Sequence, residues 1–363
     1  MKAKKNREKI MIFAPIALSA FILFFLIYPK YDKIVSVLRT ARFDYLFYSL
    51  FFANLSYFLM GLSLWETLKI MRYKISVSSA WAISLVSTSV NYFLSTGGVS
   101  GFAVRAHLLA KRKVPYSICI TSSVVLTVFI YLVLDLIILQ GFIHQFLKTR
   151  DLTNQLVEGF IGAIILLGVS MFFVSMLYHH HFRSTWAKRI YHMVNHVVYF
   201  FSKKEIPRED FNLFELQLNE GITRLHEKKY ELPKVVGYVT LDWIANILAL
   251  YFAFKAIGVN ISFSKLIVGF SFGMIMTVIP ILPGGLGAME AAMAAAYAGM
   301  GIPWESGIVA ALIFRVFYYI IPALTSMFVY LGLKMSEPGY HYENLEKKLL
   351  KKSHHPGGTD YDI

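Results

Sequence analysis

The sequence predicts an all-α polytopic membrane protein, and three observations carry that expectation. Of its 363 residues, 56% are hydrophobic and only 16% are charged, whereas a soluble domain carries about 25% charged residues. The charges lie between long apolar runs, six of which match the ~20 residues a helix needs to cross a bilayer. Two further apolar regions, 77–110 and 263–299, are each long enough for two short helices and are broken in the middle by a glycine pair. The expected architecture is about six full spans plus two glycine-broken re-entrant helical hairpins in an inverted repeat.

The six spans are 10–28, 45–64, 116–141, 157–178, 235–256 and 305–333. The first reads as a retained anchor, because Tyr28-Pro29-Lys30 lacks the small residues of a signal-peptide cleavage site. Orientation follows from Lys and Arg, which accumulate on the cytoplasmic side. With the N-terminus inside, 26 of the 36 Lys and Arg residues fall in cytoplasmic segments and eight outside. Both termini are then cytoplasmic. The surplus of 36 basic over 22 acidic residues is thus a topology signal. A nucleic-acid binder would display that charge on a polar surface.

Residues 1–178 form a first repeat half with the N-terminal anchor and hairpin 77–110. Residues 179–234 form a cytoplasmic amphipathic connector, 235–336 a second half with hairpin 263–299, and 337–363 a polar cytoplasmic tail. In the connector, Phe211, Phe214, Leu218, Ile222 and Leu225 recur at helical spacing. That pattern suits a helix lying on the anionic inner leaflet, or a solvated link between the halves.

The two breaks are alike. Phe93-Leu94-Ser95-Thr96-Gly97-Gly98-Val99-Ser100-Gly101 and Ile281-Leu282-Pro283-Gly284-Gly285-Leu286-Gly287 each follow an apolar run with a Ser-rich start. Each precedes a short helical stretch ending near a proline, Pro115 or Pro303. Irregular backbone in lipid leaves N–H and C=O groups unpaired at several kcal/mol each, so such breaks belong inside protein or along a wet cavity. Glycine permits the reversal, and Pro283 ends the helix before it. Counting spans brings the first hairpin in from the cytoplasm and the second from outside. Broken helices of inverted repeats meeting at mid-membrane are the plan of many secondary transporters.

Five ionisable residues lie well inside apolar segments: Arg105, Asp135, Asp242, Glu290 and Arg315. Each costs about 2.5–3.5 kcal/mol at the membrane centre unless paired or hydrated. Glu290 and Arg315 are natural partners, and Asp135 or Asp242 is available to balance Arg105. Asn246 lies one turn from Asp242. Each returning helix begins just after its glycines with unpaired N–H groups and about half a positive charge. With two arginines suited to bidentate phosphate contacts and the hydroxyls of Ser95, Thr96 and Ser100, the tips converge on an anion site. The candidate substrate-binding set is therefore Arg105, Glu290, Arg315, Asp242, Asn246, Gly97, Gly98, Gly284, Gly285, Ser95 and Thr96. An anionic or zwitterionic lipid headgroup fits this chemistry.

No catalytic group, metal or cofactor is expected. Cys119 stands alone. His179-His180-His181 and the His192/His196 pair have no acid beside them and read as interfacial. There is no Walker motif, nucleophile elbow or dinucleotide fingerprint, which argues against an enzyme and against ATP-driven work by this chain. The 30 Phe and 22 Tyr residues are expected mostly at the lipid-facing surface and the interfaces.

Pro283-Gly284-Gly285-Leu286-Gly287-Ala288-Met289-Glu290, followed by Arg315 in the next span, resembles the second-repeat signature of the lysylphosphatidylglycerol synthase transmembrane family. Gly97-Gly98 with Arg105 resembles the first-repeat signature, and the likeness runs from about residue 10 to about residue 335. The resemblance implies lipid translocation from the inner to the outer leaflet, of aminoacylated phosphatidylglycerol in the multiple peptide resistance factors. It carries roles over to Gly284, Gly285, Glu290, Arg315 and Arg105. It also implies a stand-alone member without the aminoacyltransferase domain. Such a member would move an aminoacyl-phospholipid, a glycolipid or a polyprenyl phosphate, fed by a separate lipid synthase or glycosyltransferase. Two other classes stay open: a secondary transporter of a small anion, and a non-transporting membrane partner of such an enzyme.

Overall fold

The computed structural model describes Phe24 and residues 27–93, 99–149, 154–202, 205–278 and 285–336. Among these residues every regular element is helical. After a 3₁₀ turn at Tyr28–Lys30 come α1 (Tyr31–Arg39), α2 (Phe43–Ile70), α3 (Val77–Phe93), α4 (Val99–Ala110), α5 (Tyr116–Thr149) and α6 (Asn154–Tyr178). The connector forms α7 (His180–Ser202) and α8 (Arg208–His226). The second half forms α9 (Leu232–Ala256), α10 (Phe263–Val278), α11 (Ala288–Gly299), α12 (Trp304–Arg315), a π-turn at Val316–Ile320 and α13 (Ile321–Met335).

Five stretches are long and apolar enough to cross a bilayer: Phe43–Ile70, Tyr116–Lys148, Val157–Tyr178, Lys229–Ala256 and Trp304–Met335. They coincide with five of the six expected spans. The sixth, 10–28, lies largely outside the described residues.

The four-helix order α2-α3-α4-α5 recurs as α9-α10-α11-α12, and the link after the first helix covers six residues in both, 71–76 and 257–262. The leading helices of the two repeats pack side by side and run antiparallel. The Arg42 N–H donates to the Ala256 carbonyl at 2.8 Å, the Ser49 hydroxyl to the Ala249 carbonyl at 2.7 Å, and the Ser56 hydroxyl to Asp242. Each step of seven residues along α2 is matched by seven back along α9, the register of an antiparallel helix pair. The trailing helices then cross over: α5 packs on α10 of the second repeat, and α13 on α3 of the first.

Each broken region is a tight helical hairpin. In the first, a Cβ on Gly101 would lie 2.8 Å from both the Asn91 Cβ and the Ser87 carbonyl, and Arg105 reaches Ser87. In the second, a Cβ on Gly273 would meet Met293 at 2.4 Å and one on Gly269 the Tyr297 ring at 2.1 Å. Pairs four residues apart on one helix thus meet pairs four apart on the other, so the two helices of each pair run antiparallel. Leucine at Gly101 is expected to force this seam open and lower stability by about 1–3 kcal/mol, the usual cost of overpacking. Leucine at Gly162, which faces open space, should leave it unchanged. Thermal unfolding in detergent measures both.

Three of the four basic residues at 30–42 have acidic partners. Lys30 and Lys33 reach Glu305 at 3.0 and 4.0 Å, and Arg42 pairs with Asp44 at 2.7 Å. In the connector, α8 packs against α5, with Ile222 and Leu225 buried. A Cβ at Gly221 would lie 1.9 Å from the Thr121 hydroxyl. The apolar face at this end of α8 is therefore spent on protein, not on a leaflet, while Leu213 and Leu216 stay exposed.

Candidate functional site

Arg315 is the last residue of α12, and the helix widens into the π-turn directly after it. Pro322 explains why: it has no N–H to give the carbonyl one turn back, which is that of Tyr318. The Tyr57 hydroxyl donates to that carbonyl instead, at 2.8 Å. Single π-turns inside α-helices recur at functional sites. Tyr57→Phe strands this carbonyl and is expected to cost about 1–3 kcal/mol, read by thermal unfolding.

Glu290 is the third residue of α11 and closes its N-terminus. One carboxylate oxygen accepts the Gly287 N–H at 2.8 Å, and the other forms an ion pair with Arg315 Nε. Gly287 and Gly285 hold φ angles of +86° and +66°, a region that suits only glycine without strain. Arg315 also lies 4.5 Å from the Tyr319 ring centre and 3.1 Å from Met289 Sδ. The start of the second returning helix was expected to be bare and anion-seeking. It is instead occupied by the protein's own carboxylate, so this end of the site is close to charge-balanced.

The first hairpin is different. Arg105 is buried on α4, and its Nε lies 3.5 Å from the Ser87 hydroxyl. The acids expected to balance it do not. Asp135 accepts a hydrogen bond from Ser170 of α6, and Asp242 one from Ser56 of α2. Among the described residues no carboxylate forms an ion pair with Arg105. Asn246 Nδ2 donates to the Ser56 hydroxyl at 3.3 Å, which gathers Asp242, Ser56 and Asn246 at the α2–α9 crossing. Ser95, Thr96, Gly97, Gly98 and Gly284 lie outside the described residues. The charged groups are closed off from solvent, with Glu290, Asp242, Arg315 and Arg105 only 0, 2, 5 and 8% exposed.

Tyrosines are what sequence reasoning missed. Tyr92 of α3 lies 4.2 Å from Tyr319 and 6.1 Å from Tyr318, and Tyr57 of α2 lies 5.2 Å from Tyr318. Four rings from α2, α3 and the π-turn thus cluster beside the Tyr319 ring that carries Arg315. The interfacial and lipid-facing expectation holds for Phe43 and Phe328, which are exposed, but not for these. The one available signal was Tyr319, a single turn beyond Arg315. Glu66 was missed as well: α2 extends past it, and it is 2% exposed beside Lys69, 3.5 Å away.

An all-helical chain with five stretches long and apolar enough to span a bilayer, and with buried charges and tyrosines between its helices, is a polytopic membrane protein with a polar interior. The chain belongs to the lysylphosphatidylglycerol synthase transmembrane family: the family model, described as the lysylphosphatidylglycerol synthase TM region, matches residues 12–326. A protein described as UPF0104 membrane protein from Methanothermobacter thermautotrophicus is 29% identical over 177 residues, which is 46% of this chain and 52% of that one. A longer match to a UPF0104 membrane protein of the same organism is 25% identical over 265 residues, 70% of this chain and 75% of the relative. The phosphatidylglycerol lysyltransferase of Staphylococcus aureus is 26% identical over 87 residues, 24% of this chain and 10% of that protein. The matched region thus covers about half of the first of these relatives and a tenth of the lysyltransferase.

Proposed function

We propose that this protein is a lipid flippase or scramblase that passes a phosphate-containing headgroup between leaflets along the seam of the two repeats, while the acyl chains stay in lipid. The observation that carries this is the charge asymmetry of the hairpins. Glu290 and Arg315 balance each other, whereas Arg105 is buried against a hydroxyl. A buried guanidinium without a counter-charge costs several kcal/mol, and a phosphate arriving at it recovers that cost through charge-assisted bonds. The second hairpin then offers a carboxylate to any amine the headgroup carries.

The hairpin lengths support a re-entrant reading. α4 and α11 have 12 residues each, about 18 Å of helix, well short of the ~30 Å hydrocarbon core. Membership of a family named for phosphatidylglycerol chemistry fits a lipid with a phosphate headgroup. The basic-residue distribution favours both termini inside, and the archaeal and bacterial sources of the relatives favour the cytoplasmic membrane of such a cell. A separate synthase or glycosyltransferase would supply the lipid.

The test is leaflet exchange in vesicles of phosphatidylethanolamine and phosphatidylglycerol, read by dithionite quenching of fluorescent lipids. Purified protein should speed exchange of labelled phosphatidylglycerol far beyond empty vesicles. Rates equal to empty vesicles for anionic, zwitterionic and glycolipid probes alike would refute the proposal. Saturable uptake of inorganic phosphate in their place would make the protein a small-anion transporter.

A further inference from the structure

Asp242 differs from Glu290 in having no cation to face. It is 2% exposed at the crossing of α2 and α9, and its Oδ1 accepts the Ser56 hydroxyl. The titratable groups facing it are two phenols, Tyr57 of α2 and Tyr318 of the π-turn. Next to it on α9, Trp243 turns to the Ile130 carbonyl of α5 at 2.9 Å and brings no charge. Among the described residues no Lys, Arg or His pairs with it. A carboxylate in such surroundings is costly when ionised and comfortable when protonated.

Two further observations point the same way. Asn246 Oδ1, one turn along α9, is a buried acceptor with no hydrogen-bond donor among the described residues. Asn246 and Asp242 share Ser56, so this buried cluster holds one more acceptor than its donors satisfy. A cluster of phenols also adjoins the carboxylate's crossing. The Tyr57 ring lies 5.2 Å from Tyr318 and the Tyr92 ring 4.2 Å from Tyr319, and Tyr319 carries Arg315 on its face. Intramembrane carboxylates facing a polar interior of this kind serve in proton transfer in pumps and transporters.

We infer that Asp242 is a proton-binding site, and that it takes up a proton from one side and releases it to the other once per transport cycle. The only bond made and broken is the carboxyl O–H. The contact it alters, Ser56 to Asp242, ties α2 to α9, the helices through which the two repeats meet. Neutralisation at this point is therefore felt at the repeat seam. The coupling of this proton to lipid movement rests on the flippase reading; the proton site itself does not.

The experiment has two arms on full-length reconstituted protein. Infrared spectra should contain the carbonyl stretch of a protonated carboxyl that disappears as pH rises and is absent from Asp242→Asn. In the same phosphatidylethanolamine and phosphatidylglycerol vesicles, with membrane potential held at zero, a gradient of one pH unit should drive labelled phosphatidylglycerol to a leaflet ratio of up to about tenfold. That is the limit for one proton per lipid. The ratio should reverse with the gradient and shrink towards one in Ser56→Ala, which removes the hydroxyl that holds the carboxylate.

No Asp242-dependent band at any pH overturns the proposal. So does fast exchange whose leaflet ratio ignores both gradients, or one that follows a sodium gradient at equal pH. A titrating band in protein that exchanges no lipid of any headgroup would sink the flippase reading and leave the proton site standing.

Discussion

Removing either member of the Glu290–Arg315 pair is expected to slow lipid exchange by a hundredfold or more. Breaking a buried ion pair by deleting one partner costs about 3–5 kcal/mol, because the survivor keeps its charge without compensation. Each ~1.4 kcal/mol is tenfold in rate if the step depends on that charge. The two residues do not fail alike. Glu290 also caps α11 through the Gly287 N–H, so Glu290→Ala loses a helix cap worth about 0.5–2 kcal/mol in addition to the pair. Glu290→Gln keeps an acceptor for that N–H and loses the charge. It should therefore be less stable than the native protein by the cost of the broken pair alone, about 3–5 kcal/mol, with Glu290→Ala less stable again by the lost cap, while both exchange lipid equally slowly. Arg315→Lys keeps the charge but not the flat stack on Tyr319, and should be intermediate. Exchange rates and thermal unfolding measured on the three variants separate the capping role from the electrostatic one.

Arg105→Gln should move activity and stability in opposite directions. The glutamine removes a buried charge that no carboxylate balances among the described residues, so the empty protein is expected to gain about 1–3 kcal/mol in stability. Exchange of anionic headgroups should fall by roughly a hundredfold, the loss of one charge-assisted phosphate contact worth about 1.5–3 kcal/mol. The same measurements distinguish this from a structural arginine. Were Arg105 holding the hairpin together as Arg315 holds α11, the glutamine would lower the unfolding temperature.

The hairpins were legible because their signals are local. Glycine pairs, Pro283 and the closing Pro115 and Pro303 act on their own neighbours, and the expected 77–110 and 263–299 coincide with α3–α4 and α10–α11. Hydropathy located five spans for the same reason. Partner choice was not legible. Asp135 meets Ser170, and Asp242 meets Ser56, 186 residues away, because α6 lies on α5 and α9 on α2, and nothing in either segment announces its neighbour. The π-turn was hidden by an unbroken apolar run through Pro322, since membrane helices tolerate proline where a side chain can satisfy the freed carbonyl. Tyr57, Tyr92, Tyr318 and Tyr319 have the composition of interfacial residues, and only packing turns them inward. Glu66 escaped because hydropathy falls near the end of α2 before the helix does.

The central claim is that two helix breaks reach mid-membrane from opposite faces and enclose the buried charges between them. Spin labels on Gly98→Cys and Gly284→Cys, in a Cys119→Ser background, report their depth by relaxation against lipid-soluble and water-soluble paramagnets. Both labels are expected about 15 Å below the headgroups, half the hydrocarbon thickness, with each one quenched more strongly by the aqueous reagent added on its own side. A label at headgroup depth at either position, or both responding from the same face, would contradict the account.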